Sequence, residues 1–219
     1  MFRRILLIIF GYLCGSVSFA YVTGRLGRAI DLRHYGSRKL SGSNAYETMG
    51  FPAMVATGIG DIAKAVLPTW LAMHLGCGLP TIIMTGLAAM LGHNWSLFFR
   101  FKGGRGISTA LGALFVVFPW GALWILGWTV LGGLRRHMAA IPALFGFVTL
   151  PLFAVAMGQA PALVWGCLGM LLVVILKRVE GNREPLPDMG NRWTVLWRRL
   201  WLDRDMADHD RWIHRTPES

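Results

Sequence analysis

Long apolar runs with sparse polar interruptions recur along the chain at about 5–24, 51–75, 79–99, 107–118, 119–134, 137–157 and 160–176. Their length and lack of strict alternation predict about seven helices, some short, with Pro119 and Pro142 marking or kinking boundaries. A membrane span needs roughly 20 apolar residues, and open sheets cannot cross lipid. Ten-residue stretches alternating between apolar and polar, the mark of a membrane barrel, are missing. The expected fold is therefore all-α, a polytopic membrane protein of about seven transmembrane helices. Arg3 and Arg4 ahead of Ile5–Phe10 resemble the start of a secretory signal peptide. The basic stretch Arg25–Lys39 and the further spans that follow favour retention of this run as the first helix.

Composition sharpens the membrane assignment. Of the 219 residues, 54% are hydrophobic and only 15% charged, and the mean hydropathy is +0.49. A soluble domain carries about a quarter charged residues, so an ordinary cytosolic globule is excluded. The net charge of +11 would suggest nucleic acid on a soluble domain. On a membrane protein it points to basic cytoplasmic loops, anionic headgroups or phosphorylated substrates, and no nucleic-acid partner is expected.

Counting cations by loop gives an orientation. Arg25, Arg28, Arg33, Arg38 and Lys39 follow the first run, Arg100, Lys102 and Arg105 the third, Arg135 and Arg136 the fifth, and a basic tail from Lys177 the seventh. The intervening loops near 76–79, 119 and 157–160 carry no Lys or Arg. The positive-inside rule puts the basic loops and the C-terminus in the cytoplasm and the N-terminus outside, with Arg3 and Arg4 dissenting. The expected location is a bacterial inner membrane. Cys14, Cys77 and Cys167 form no CxxC pair, so neither a disulfide framework nor a zinc site is expected.

Two regions are expected: a membrane domain over 1–178 and a basic, Trp-rich cytoplasmic tail over 179–219. Trp193, Trp197 and Trp201 recur at i+4, which predicts one aromatic face on a helix over 193–203. Tryptophan favours the headgroup zone, so an interfacial helix is one reading and a solvated tail the other.

Three segments carry candidate chemistry. Lys102-Gly-Gly-Arg-Gly106 precedes the apolar run from Ile107. Glycines let backbone N–H groups approach a ligand, a helix start suits an anion, and Lys102 and Arg105 add cationic donors. A tight turn is the alternative. The segment from Asp31 to Asn44 offers Ser37, Ser41, Ser43, Asn44, Arg33, Arg38 and Lys39 in a glycine-broken stretch, an inventory for an anion or for a plain connector. Asp61 and Lys64 stand at i, i+3 inside the second span. Each charge costs on the order of 2.5–3.5 kcal/mol to insert, so they should face the bundle and pair.

These residues resemble the bacterial membrane glycerol-3-phosphate acyltransferases of the PlsY family. Gly15-Ser16 with Tyr21, Asp31-Leu32-Arg33, Gly36-Ser37, Asn44, Thr48-Met49-Gly50, Asp61 with Lys64, and Gly92-His93 through Ala110 match its motifs, with Arg105 in place of lysine. The resemblance runs over about residues 11–118. It implies attack by the 1-hydroxyl of glycerol 3-phosphate on a long-chain acyl phosphate, giving lysophosphatidate and phosphate, with the acyl chain lying between helices. It implies catalytic roles for Ser37, Lys102, Arg105 and His93. Substrate binding falls to Arg33, Asn44, Gly103, Gly104, Gly106, Asp61 and Lys64. The donor is already activated, so Ser37 would bind or orient rather than attack. Membrane lipids are partners by the same token, and neither a metal nor an organic cofactor is implied.

Beyond Arg105, and Ala65 in place of a glycine after Lys64, the chain departs from the family pattern at three further places. Glu47 replaces an arginine, and Arg38-Lys39 replaces Gly-Asn. In Lys177–Glu184, which resembles the last motif, the upstream His and Asn fall on Leu172 and Ile175. Arg38 and Lys39 would restore positive charge and pair with Glu47, and His34 or His93 would replace the imidazole. Two rival functions remain at this stage: a paralogue that binds a phosphorylated or lipid ligand without turnover, and a transporter or channel. The second should show inverted repeats, which the chain lacks.

Overall fold

The computed structural model describes residues 1–133, 140–183 and 191–213. The cations Arg135 and Arg136 and the motif residue Glu184 lie outside the described residues. Among those described, helices account for all the regular structure and no strand occurs.

The first apolar run makes two helices rather than one. α1 (Phe2–Ser16) stops at extended Val17, and α2 (Phe19–Arg28) restarts behind Ser18, whose side chain accepts the Tyr21 N–H at 3.2 Å. A capping serine satisfies a backbone N–H that an uninterrupted helix would not leave free, so the polar Ser-x-x-Tyr step resets the chain direction. The loop after α2 is also folded. Asp31 caps a 3-10 turn over Leu32–His34, and Ser41 caps α3 (Gly42–Met49).

The remaining helices follow the apolar runs: α4 (Phe51–His74), α5 (Leu79–Asn94), α6 (Ile107–Val117), α7 (Pro119–Gly133), α8 (Ala140–Ala156) and α9 (Pro161–Glu180). Prolines in the first turns of α4, α5 and α9 carry no N–H to leave unpaired there. The break at Phe118–Pro119 falls where the sequence places it. Among the described residues, three stretches are long and apolar enough to cross a membrane: Phe2–Arg28, Leu79–Phe99 and Pro161–Glu180. With 11 residues, α6 reaches only about 16 Å, roughly half the hydrocarbon thickness.

α5 is the central post, packed against α1, α4, α6 and α9. α1 lies close because Gly15 and Gly92 face each other's helix: a Cβ on either would run into the backbone of Ala89 or Tyr12. Tyr12 Oη donates to the Trp95 carbonyl (2.7 Å) and Ser96 Oγ to the Ser16 carbonyl (2.6 Å), locking the same ends of α1 and α5. The main core runs through α5–α9 and contains Met90, Leu114, Phe118, Phe147, Leu150 and Met170.

One end of the bundle gathers the polar loops. The end of α1 meets Ser96, Gly103 meets Asn182 just past α9, and Arg178 of α9 donates to the Ala140 carbonyl at the start of α8. α10 (Arg192–Leu202) and α11 (His209–Ile213) pack onto this end, with Val195, Arg199 and Trp212 buried. The tail is thus folded onto the bundle, while Trp193 and Trp197 stay 78% and 64% exposed on the outer face of α10.

Candidate active site

Between the folded 31–41 loop and the 99–103 segment lies an open cleft of about 510 Å³, lined by Arg33, His34, Arg38, Leu40, Phe99, Arg100, Lys102, Gly103 and Asn182. Four cations and no carboxylate stand on its walls among the described residues. Such a field concentrates anions, and low-dielectric walls strengthen it.

The first wall is framed by Asn44. Its side chain is fully buried; Nδ2 donates to the Leu32 and Lys39 carbonyls (2.9 and 3.0 Å), and Oδ1 accepts the Ser37 N–H at 2.9 Å. Asn44 and Ser37 therefore sit in the loop's frame, with the amide of Asn44 spent on its own backbone. Arg33 reaches the cleft but also grips Asp31 through two nitrogens, Nη2 at 2.6 Å and Nε at 3.0 Å. That guanidinium holds the Asp31 carboxyl below the usual carboxylate range. The Arg33 head lies 5.2 Å from the Phe99 ring, a cation–π contact that joins the two walls.

The second wall is the glycine loop. Lys102 and Gly103 face the cleft, and the segment behind them is pressed against α5 and α9. Gly104 N–H donates to the His93 carbonyl (3.2 Å), and Gly103 N–H donates to Asn182 Oδ1 (3.4 Å), whose Nδ2 returns to the Gly103 carbonyl (3.1 Å). These two N–H groups are engaged within the protein rather than turned to a ligand. The glycines serve closeness: a Cβ on Gly104 would collide with His93 Nε2 and come 2.7 Å from the Leu40 carbonyl. Gly106, at φ +77°, starts α6 in the left-handed region, with Asn94 Oδ1 2.7 Å from where a Cβ would sit.

Beneath Gly104 lies a buried polar cluster. Lys64 Nζ is 2.8 Å from Asp61 Oδ1, donates to the Val17 carbonyl at 2.6 Å and lies 2.9 Å from His93 Nδ1. The Asp61 carboxylate also lies 3.6 Å from His93 Nδ1, and Nε2 on the far side of the ring faces Gly104. The helix break at Val17 explains the third partner, because it frees a carbonyl that a continuous α1 would have used itself. The predicted i, i+3 pair is therefore present, and it is wired to His93 under the loop.

Arg105 points away from the cleft. It is buried, pairs with Asp203 at 2.5 Å and donates to the Lys177 carbonyl at 3.3 Å. Glu47 departs from the expected pairing with Arg38 or Lys39: it lies 3.6 Å from His209 of α11, and Lys39 pairs instead with Asp203 at 2.9 Å. Of the residues singled out from sequence, Arg33, His34, Arg38, Lys102 and Gly103 share the cleft. Ser37, Asn44, Gly104, Gly106 and the Asp61–Lys64–His93 cluster lie in its framework. Sequence reasoning missed Arg100, Asn182, Lys177 and Asp203. Arg100 lay within the matched 92–110 stretch, and Lys177 and Asn182 within the 177–184 stretch, with Asn182 also suited, after Gly181, to its left-handed φ of 59°; Asp203 left no signal. Lys177 is fully buried, 2.9 Å from Glu180 and 5.0 Å from the Trp95 ring centre.

The sequence profile of the family described as "Glycerol-3-phosphate acyltransferase" matches residues 5–184. The chain belongs to the glycerol-3-phosphate acyltransferase family. It is 34% identical to "Glycerol-3-phosphate acyltransferase 5" of Dehalococcoides mccartyi, over 97% of this chain and 93% of that one. It is 31% identical to "Glycerol-3-phosphate acyltransferase" of Geobacter sulfurreducens, over 88% and 99%. The crystal structure of PlsY (YgiH), described as an integral membrane glycerol 3-phosphate acyltransferase in its glycerol 3-phosphate form, superposes with a TM-score of 0.74 at 29% identity. That match covers 81% of this acyltransferase-family chain and 89% of the solved one. The resemblance read from residues 11–118 thus extends through α9, across the altered last motif.

Proposed function

We propose that this chain is an integral membrane acyltransferase that transfers the acyl group of an acyl phosphate to the 1-hydroxyl of glycerol 3-phosphate. The products are lysophosphatidate and inorganic phosphate. The observation that carries the reading is the open cleft with Arg33, Arg38, Arg100 and Lys102 on its walls, at the loop-bearing end of an apolar bundle. Both substrates are anions, and holding two phosphates side by side requires such a field.

In this reading the 1-hydroxyl oxygen attacks the acyl carbonyl, a C–O ester bond forms and the acyl–phosphate C–O bond breaks. The leaving phosphate takes the electron pair, and one of its oxygens takes the hydroxyl proton. The cations lower the charge on that leaving group. The mixed anhydride brings its own activation, so Ser37 has no nucleophilic task and stays in the loop frame. Asp61, Lys64 and His93 support the glycine loop from below and fix where Lys102 stands. The acyl chain lies between helices.

The membrane disposition that fits this chemistry has about seven spans in a bacterial inner membrane, the N-terminus outside and the cleft and tail in the cytoplasm, where phosphorylated precursors are made. The Trp face of α10 then rests in the headgroup zone, with Arg192 and Arg198 near anionic lipid.

A kinetic experiment tests the cleft. Lys102→Gln should raise the KM for glycerol 3-phosphate about tenfold and flatten its salt dependence, because one long-range attraction is lost. An unchanged KM and salt slope in a correctly assembled variant would move anion binding out of this cleft.

A further inference from the structure

The carboxylate of Asp203 stands behind the cleft, between its two walls. Asp203 ends α10 in the left-handed region (φ 55°), where a short polar side chain is tolerated. From that turn Oδ1 meets Arg105 Nε at 2.5 Å and Oδ2 meets Lys39 Nζ at 2.9 Å, while the Asp203 carbonyl also accepts from Lys39 Nζ. Lys39 lies between the wall residues Arg38 and Leu40; Arg105 follows Lys102 and Gly103 of the other wall. The turn is itself held. Arg199 pairs with Asp205 (2.6 Å), and Arg178 of α9 donates to the Leu200 carbonyl (3.0 Å).

We infer that Asp203 is a positioning residue for the acyltransferase site: its carboxylate ties Lys39 to Arg105, fixes the spacing of the two cationic walls, and so makes the tail a determinant of affinity for phosphorylated substrate. The family match ends at residue 184, so the two cations lie inside the matched region and their shared counter-charge outside it. Without the carboxylate, two buried like charges face each other and the walls part. The field around it is strong: burial pushes the Asp203 carboxyl up, and Arg105, Lys39 and Arg178 outweigh that and hold it down at about 2. Burial first, then Arg105, brings Lys39 down to about 8. Lys39 also faces Arg178 of α9, Arg204 across a small adjoining cavity and the Trp212 ring of α11.

The inference rests on the acyltransferase reading, and the test separates the two. Full-length wild type, Asp203→Asn and Asp203→Glu are placed in lipid nanodiscs and assayed with acyl phosphate and glycerol 3-phosphate. Asp203→Asn should raise the KM for glycerol 3-phosphate about tenfold and leave kcat within about threefold, and Asp203→Glu should recover most of the loss. An active wild type with an unchanged or lowered KM in Asp203→Asn overturns the inference alone; a lowered KM would mean the carboxylate competes with phosphate. A wild type with no turnover overturns the reading beneath it. If Asp203→Asn does not assemble, wild type alone decides by its pH profile. A phosphomonoester is a dianion above a second pKa of about 6. Burial brings Lys39 down to about 8, so its 2.9 Å pair with Asp203 weakens as the pH rises through that value and KM should rise between pH 7 and 9; a flat profile overturns the inference.

Discussion

Single positions in this protein carry more of the site than their residue types announce. Gly104 is the clearest case, because any side chain there meets both His93 and the Leu40 carbonyl. Gly104→Val should therefore displace the loop and raise the KM for glycerol 3-phosphate more than tenfold; an unchanged KM would show that the loop's position is irrelevant to binding. Asp61 and Lys64 make a second case. Removing one member of a buried pair costs about 3–5 kcal/mol, whereas replacing both by apolar residues is far milder. Lys64→Met should lower the thermal stability in detergent well below that of the double variant Asp61→Leu/Lys64→Met, and equal losses would contradict a true pair. The pairing itself was readable from sequence, since i, i+3 charges in an apolar run have little else to do. His93 was not readable as its partner, because it lies 29 positions from Lys64 and meets it only through tertiary packing. Arg105 was misleading for a related reason: a loop cation looks free until a distant carboxylate, here Asp203, is folded against it.

At the level of elements, periodicity served well and continuity served poorly. The apolar runs became helices because a helix is the one local structure that satisfies its own backbone in lipid. The 5–24 run still broke at Val17, where capping by Ser18 outweighed apolar continuity, and that break supplies the carbonyl Lys64 uses. The loop over 31–44, on sequence either a ligand loop or a connector, folded around Asn44 through contacts with Leu32 and Lys39 that propensity does not encode. α10 followed its i+4 tryptophan spacing, with Val195 and Arg199 turned inward and Trp193 and Trp197 outward. If that outer face lies in the headgroup zone, lipids brominated near the carbonyl end should quench wild-type fluorescence more than that of a Trp193→Phe/Trp197→Phe variant. Equal quenching would place α10 in water.

For the whole molecule, the proposed function turns on sidedness and on the meeting of two anions. The basic segments described here converge on one end of the bundle, and the loop over 75–78 lies at the other, where half-buried Cys77 joins α4 to α5. An impermeant thiol reagent added to intact cells should label Cys77; labelling only after the cytoplasmic face is opened would invert the orientation. The fold class was legible because composition and run length leave a membrane chain few alternatives. The tail's contact with the loops beside the cleft was not, because it depends on ion pairs between residues about a hundred positions apart, as in Arg105–Asp203. The central claim is that the altered loops still assemble a working acyltransferase. Purified protein in nanodiscs, given acyl phosphate and labelled glycerol 3-phosphate, should release one inorganic phosphate for each labelled lysophosphatidate formed. Glycerol 3-phosphate binding without any lysophosphatidate would contradict the account and leave a ligand-binding paralogue in its place.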